Sequence, residues 1–222
     1  AMFASRMSSG GSFPSNVPAA LSEQLVCYQR YQNLYGVDPA TGEVLWVRDD
    51  VRPDSVVFGD EQYVLVVPPE QNAATVLQAA DGKEIGTRAL PSFRPATLGR
   101  LVAAWRQEPD HTVLELIDPL TDARVWPPRQ FAPDAKIYPV DQEATEAIAI
   151  LEPKGRFALV NLADGRLLVD AQVDRQEGMS DVHVFRESGG TLVVVNGLER
   201  SNSSGRHYYG LQGVLSAQIS RA

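Results

Sequence analysis

One hairpin recurs through this chain about every forty residues, and a recurrence of that length constrains the fold before composition does. Its clearest copy is Leu34-Tyr35-Gly36-Val37-Asp38-Pro39-Ala40-Thr41-Gly42-Glu43-Val44-Leu45-Trp46: an alternating strand, a five-residue turn, and a second strand ending in Trp. It returns as Val76–Ile85, as Leu114–Trp126 and as Ala158–Leu168. The closing turn positions Gly42, Gly82, Asp122 and Gly165 stand 40, 40 and 43 residues apart, and Trp46 and Trp126 are separated by 80, two whole repeats. A tight turn needs a residue that accepts a left-handed backbone, which Gly does freely and Asp does at modest cost. Asp122 at a position otherwise held by Gly therefore fits the series.

Between these hairpins lie further short β-like runs: Ser55–Gly59, Tyr63–Val67, Leu101–Trp105, Ile137–Val140, Ala147–Leu151, Asp181–Arg186 and Thr191–Asn196. Each repeat thus holds about four strands joined by Gly, Pro and Asp turns, with no amphipathic helix. Four antiparallel strands per forty-odd residues is the plan of a β-propeller blade. A β-sandwich also spaces short strands evenly, but the constant period of one particular hairpin favours the propeller. The sequence predicts an all-β chain of about five blades, some incomplete, over residues 21–222. The first blade shows three strands (Leu25–Tyr31, Leu34–Asp38, Glu43–Arg48), and Gly210–Ile219 reads as the third strand of a fifth. Residues 1–20, rich in Ser, Gly and Pro, read as a linker. The expectation is a fragment of a larger propeller, whose bare sheet edges invite self-association, the remaining blades or a protein partner.

The Asp38-Pro39-Ala40-Thr41-Gly42-Glu43-Val44-Leu45-Trp46 hairpin resembles the repeat of the pyrroloquinoline-quinone-like (quinoprotein alcohol dehydrogenase-like) β-propellers, most closely their non-catalytic branch. The first copy matches strongly and the later ones more loosely. The resemblance implies structural roles: Trp46 and Trp126 pack between adjacent blades, and Gly42, Gly82 and Gly165 close the outer hairpins. Asp38 and Asp118 occupy equivalent turn positions. It also implies a bacterial periplasmic, envelope-associated or secreted protein. The signatures of WD40, kelch and sialidase propellers fit less well.

Chemistry is harder to find. A catalytic quinoprotein needs calcium, a base carboxylate and cationic groups about the quinone, with a vicinal Cys pair in many members. This chain has one cysteine, Cys27, in the apolar run Leu25–Tyr28, where it reads as a small buried hydrophobe. Asp38, Asp81, Asp118 and Asp164 all fall in repeat turns, where a carboxylate bonds its own backbone. His111, His183 and His207 lack metal-ligand spacing, and no phosphate-binding, zinc-protease or serine-hydrolase motif occurs. No cofactor or metal is expected. With 28 acidic against 20 basic residues, a net charge of −8, the chain is a poor match for nucleic acid. No apolar run reaches the roughly 20 residues of a membrane helix.

Two stretches stand out as surface candidates. Glu199–Tyr209 is a long polar loop ending in aromatics, and Arg200, Asn202, Arg206, His207, Tyr208 and Tyr209 are its candidate contact residues. Asn202-Ser203-Ser204 within it also satisfies the glycosylation sequon. Arg88, Arg94, Arg100 and Arg106 recur at six-residue steps and read as solvated scatter. Taken together, the sequence points to a non-catalytic scaffold or protein-interaction module. The alternative is part of a quinone-dependent dehydrogenase whose active-site residues lie outside the chain. A weaker third reading is a carbohydrate-binding propeller using Trp105 or Tyr208.

Overall fold

Short alternating strands with tight turns between them fold as up-and-down antiparallel sheets, because each strand's nearest partner is the next one along the chain. The computed structural model describes residues 19–20, 23–140, 146–172, 179–187, 190–198 and 209–217. They contain five such sheets and no helix. The first is β1 (Ala19–Ala20), β2 (Val26–Arg30), β3 (Asn33–Val37) and β4 (Val44–Arg48). The second is β5 (Val56–Gly59), β6 (Tyr63–Val67), β7 (Ala73–Gln78) and β8 (Glu84–Ala89). The third contains β9 (Ala96–Leu98), β10 (Leu101–Gln107), β11 (Thr112–Asp118) and β12 (Ala123–Arg124), with the short β13 (Arg129–Phe131) beside β11. The fourth is β14 (Lys136–Pro139), β15 (Ala147–Leu151), β16 (Arg156–Asn161) and β17 (Leu167–Gln172). The fifth is β18 (Met179–Glu187), β19 (Gly190–Leu198) and β20 (Tyr209–Ala217). This is an all-β, blade-type architecture, the β-propeller plan.

Three strands were legible for the first blade; the structure supplies a fourth, β1, which pairs Ala19 with Cys27 and Ala20 with Val26. Such a two-residue strand is too short to carry a period. The same holds for β9, paired through Leu98–Leu101 and Ala96–Ala103.

The chain divides into two compact units. One runs to Trp105 and includes Leu114–Pro128; the other comprises Arg106–Val113 and the residues from Arg129 onward. In the first unit the second sheet is covered on both faces, and β6 shows how. Val64 and Val66 join Cys27, Leu34 and Trp46 of the first sheet, and Leu25 just before β2, in one core. Leu65 and Val67 point the other way, into a core with Ala74, Val76 and Val102. A strand buried on both sides has no need of polar alternation, so Val64-Leu65-Val66-Val67 is a continuous apolar run. Each such side chain contributes roughly 1.5–3 kcal/mol by leaving water. In the second unit Phe157, Leu159, Ala147, Ala149 and Val169 form the equivalent core of the fourth sheet.

Candidate functional site

The repeated hairpin is the best-defined local structure in the chain, and four copies build it the same way. In the first, the Gly42 N–H donates to the Asp38 carbonyl (2.8 Å) and the Asp38 N–H to that of Glu43 (2.9 Å). Gln78 with Gly82, Asp118 with Asp122, and Asn161 with Gly165 repeat the closing bond at 2.9, 2.8 and 2.8 Å. The residue that closes each turn is left-handed: Gly42, Gly82, Asp122 and Gly165 have φ of 74°, 69°, 56° and 70°. Two side-chain acceptors hold the loop between. At its first position, the carboxylates of Asp38 and Asp118 and the amide of Asn161 accept from the backbone two residues on, at 2.7, 2.9 and 2.9 Å. Three residues later Thr41, Asp81, Thr121 and Asp164 do likewise, at 3.2, 3.0, 3.4 and 3.0 Å. The sequence grouped Asp38, Asp81, Asp118 and Asp164 together; the structure sorts them into two turn positions with one kind of work. The Ala40 amide, and after it that of Thr41, holds the Asp38 carboxyl below the usual carboxylate range. A carboxylate that serves its own turn in this way is a structural acceptor.

Trp46 lies where the first two sheets meet. Its indole is 7% exposed and its Nε1–H donates to the Ala79 carbonyl of the second sheet at 2.8 Å. Two glycines make room for the ring. A Cβ on Gly36, its partner across β3–β4, would sit 2.2 Å from the indole, and one on Gly82 would sit 2.7 Å from it. Arg48, two residues on, reaches the same turn: its guanidinium bonds the Gly82 carbonyl (3.4 Å) and pairs with Glu84 (3.4 Å) and Asp50. The second unit repeats the arginine contact, for Arg129 Nε donates to the Gly165 carbonyl. Trp126 is also buried, at 6% exposure.

Between the second and third sheets the lock is ionic. Arg100 gives Nη1 to Asp60 Oδ2 (2.8 Å) and Nε and Nη2 to Asp118 Oδ2 (3.2 and 3.0 Å), and lies 5.8 Å from the Tyr63 ring centroid. Asp60 uses its other oxygen to accept from the Gln62 and Tyr63 amides at 2.9 and 3.0 Å. One guanidinium therefore ties a turn of the second sheet to the long turn of the third. Burial pushes the Asp118 carboxyl up, but Arg100 and the Leu120 amide more than offset it, and the net shift is downward. A carboxylate depressed in the fold adds stability above its unfolded pKa, roughly 4, and that stability is lost as pH falls through the lower folded value. We expect Arg100→Met to cost about 1–2 kcal/mol at pH 7 and to flatten part of the acid-side loss below about pH 4. Urea titrations across pH would show an unchanged acid slope if the clasp were idle.

The other arginines of that series do separate things. Arg94 bonds the Pro91 carbonyl and Asn72 Oδ1 (2.5 and 3.2 Å), Arg106 pairs with Glu108 at 3.4 Å, and Arg88 projects from β8. They form no strip. Cys27 is buried, and desolvation pushes its thiol up to about 12, which leaves no thiolate at neutral pH. Among the described residues no group of three or more His, Cys, Asp or Glu is placed to hold a metal. Trp105 is half-buried in β10. Arg200, Asn202, Arg206, His207 and Tyr208 lie outside the described residues; Tyr209 opens β20. No described helix is long and apolar enough to cross a membrane.

Sheets of this plan, closed by a Gly-turned hairpin and wedged by its Trp, define a β-propeller of the pyrroloquinoline-quinone-like repeat class. The chain belongs to the family described as outer membrane protein assembly factor BamB, whose model matches residues 13–218. No curated protein sequence matches it. Among solved structures it is similar to BamB from Moraxella catarrhalis, at 13% identity and TM-score 0.34, covering 79% of this chain and 67% of that one. It is similar also to the N-terminal domain of Nup159, at 15% identity and TM-score 0.48, covering 89% of this chain and 56% of that one. A third is Kluyvelomyces marxianus Hsv2, at 8% identity and TM-score 0.41, with 88% and 83% covered. At these identities and TM-scores it is the family match that carries the argument.

Proposed function

We propose that the chain is a non-catalytic β-propeller scaffold, a protein-interaction module acting in or at a bacterial envelope. The family match over residues 13–218, to a description naming outer membrane protein assembly, carries this reading. The turn carboxylates support it, since Asp38, Asp81, Asp118 and Asp164 are engaged by their own backbone rather than gathered about a substrate. Its partners are other proteins or further blades of the same propeller. The loop around Arg200–Tyr209 belongs to the contact surface in this proposal.

The test pits the scaffold against a quinone-dependent dehydrogenase. Pyrroloquinoline quinone is titrated into the full chain with calcium while tryptophan fluorescence is followed, and photo-crosslinks from residues 200–209 are mapped in envelope preparations by mass spectrometry. The scaffold reading expects no saturable quenching and reproducible crosslinks to an outer-membrane assembly component. Saturable quenching that depends on calcium, with no such crosslink, would overturn it.

A further inference from the structure

The first sheet has one face buried and one face bare, and the bare face is not built for water. Cys27 and Leu34 are buried against the second sheet, while their neighbours Val26, Tyr28, Tyr35 and Val37 stay half-buried. Val47, which pairs with Tyr35, and Leu45 are 50% and 46% exposed. A sheet face that meets water is ordinarily polar. This one carries four aliphatic side chains, Val26, Val37, Leu45 and Val47, beside two tyrosines whose rings stack at 4.8 Å. The second sheet shows what belongs on such a face. Its strands pair in the same register: Val64 with Leu77 as Val26 with Val37, and Val66 with Thr75 as Tyr28 with Tyr35. Val64, Val66 and Leu77 are 0%, 4% and 1% exposed, because they share a core with Trp46.

The turns match as well. At the second sheet the indole meets Ala79, whose carbonyl accepts its N–H, and Gly82, and both are buried. The first sheet has Pro39 and Gly42 at those positions, both exposed. The Pro39 carbonyl accepts no hydrogen bond among the described residues, and a Cβ on Gly42 would meet nothing within 4 Å. The closing residue of each turn also follows the outer strand that precedes it in sequence: Gly82 comes after Trp46 and Gly165 after Trp126, whereas Asp122 comes after Gly86. The first turn closes with Gly. We propose that the bare face of the first sheet docks the outer-strand face of a blade from another propeller protein of this repeat class, whose tryptophan fills the space over Gly42 and donates to the Pro39 carbonyl. This chain, or a second copy of it, has no such indole to give: Trp46 and Trp126 are buried, and Trp105 lies in β10, not in an outer strand. Val44 stands where the second sheet has Glu84, the partner of Arg48, so the contact is apolar with one indole hydrogen bond and no ion pair. The assignment rests on the scaffold reading, but its test reads one face and can fail while that reading stands.

The first probe is N-acetyltryptophanamide, titrated into the isotopically labelled full chain and followed by amide NMR shifts. Saturable shifts centred on Val37, Gly42 and Leu45 are expected, with binding roughly 3-fold weaker for N-acetylphenylalaninamide, which lacks the indole N–H. Gly42→Asp should abolish them. Asp122 shows that aspartate suits this left-handed backbone, so the variant keeps the turn while filling the space. The second probe is a photo-crosslinker at Val47 of the full chain in envelope preparations. Its crosslink is expected on a strand of a different propeller protein, within a few residues of a tryptophan. The proposal is overturned by shifts that do not saturate, that centre elsewhere or that persist in Gly42→Asp. A crosslink within this chain, to a second copy, to a protein without propeller repeats, or to nothing overturns it equally.

Discussion

Trp46→Ala lowers the unfolding free energy by about 3–5 kcal/mol, a large share of the 5–15 kcal/mol that holds a domain together. The indole is buried between two sheets, so its removal opens a cavity that neither can collapse into without breaking its own ladder. It also strips the Ala79 carbonyl of its donor. Trp46→Phe keeps most of the apolar contact and loses the N–H, and about 1–2 kcal/mol is expected. Leu45→Ala supplies the control. It sits next in the same strand, on the opposite face and 46% exposed, and should change stability by no more than about 0.5 kcal/mol. Urea unfolding followed by far-ultraviolet circular dichroism avoids using the deleted fluorophore as the probe. A loss for Trp46→Ala no larger than that for Leu45→Ala would mean that the indole is not what joins the sheets.

Why the sequence revealed some of this and hid the rest follows from the range of each interaction. The hairpin turn is local: Asp38, Thr41 and Gly42 satisfy one another within five residues, so their pattern survives as a motif repeated at Gly82, Asp122 and Gly165. Longer strands mostly declared themselves as short apolar or alternating runs between turn residues, and the apolar run Tyr63–Val67 coincides with β6 to the residue. The two-residue β1 had no period to show. The Arg100 clasp was hidden for another reason. Asp60 lies 40 residues before Arg100 and Asp118 lies 18 after it, and only the stacking of successive sheets brings them together. A six-residue arginine spacing is no substitute for that geometry. Gly36 shows the same limit, since nothing in the sequence marked it beside Gly42, yet it is Gly36 that touches the indole.

Gly82→Ala is the sharper experiment, because two causes of destabilisation meet at one atom and can be separated. Its φ of 69° disfavours any side chain, at roughly 1–2 kcal/mol. Its Cβ would also press to 2.7 Å from the Trp46 ring, adding a further 1–3 kcal/mol of overpacking. Gly42 occupies the same turn position with φ 74° and nothing within 4 Å, so Gly42→Ala isolates the backbone part alone. The expectation is a loss of about 1 kcal/mol for Gly42→Ala and about 3 for Gly82→Ala. In a Trp46→Ala background the excess should vanish, giving a coupling energy of roughly 1–3 kcal/mol between residues 36 positions apart. The third turn already performs part of this experiment. Asp122 keeps the left-handed backbone with φ 56°, and the fourth-strand residue of the preceding sheet is Gly86, not Trp. Where no indole arrives, a side chain is tolerated at the turn. Additive losses in the double variant would show that the Gly at position 82 answers only to its backbone, and that the wedge and the turn were selected separately.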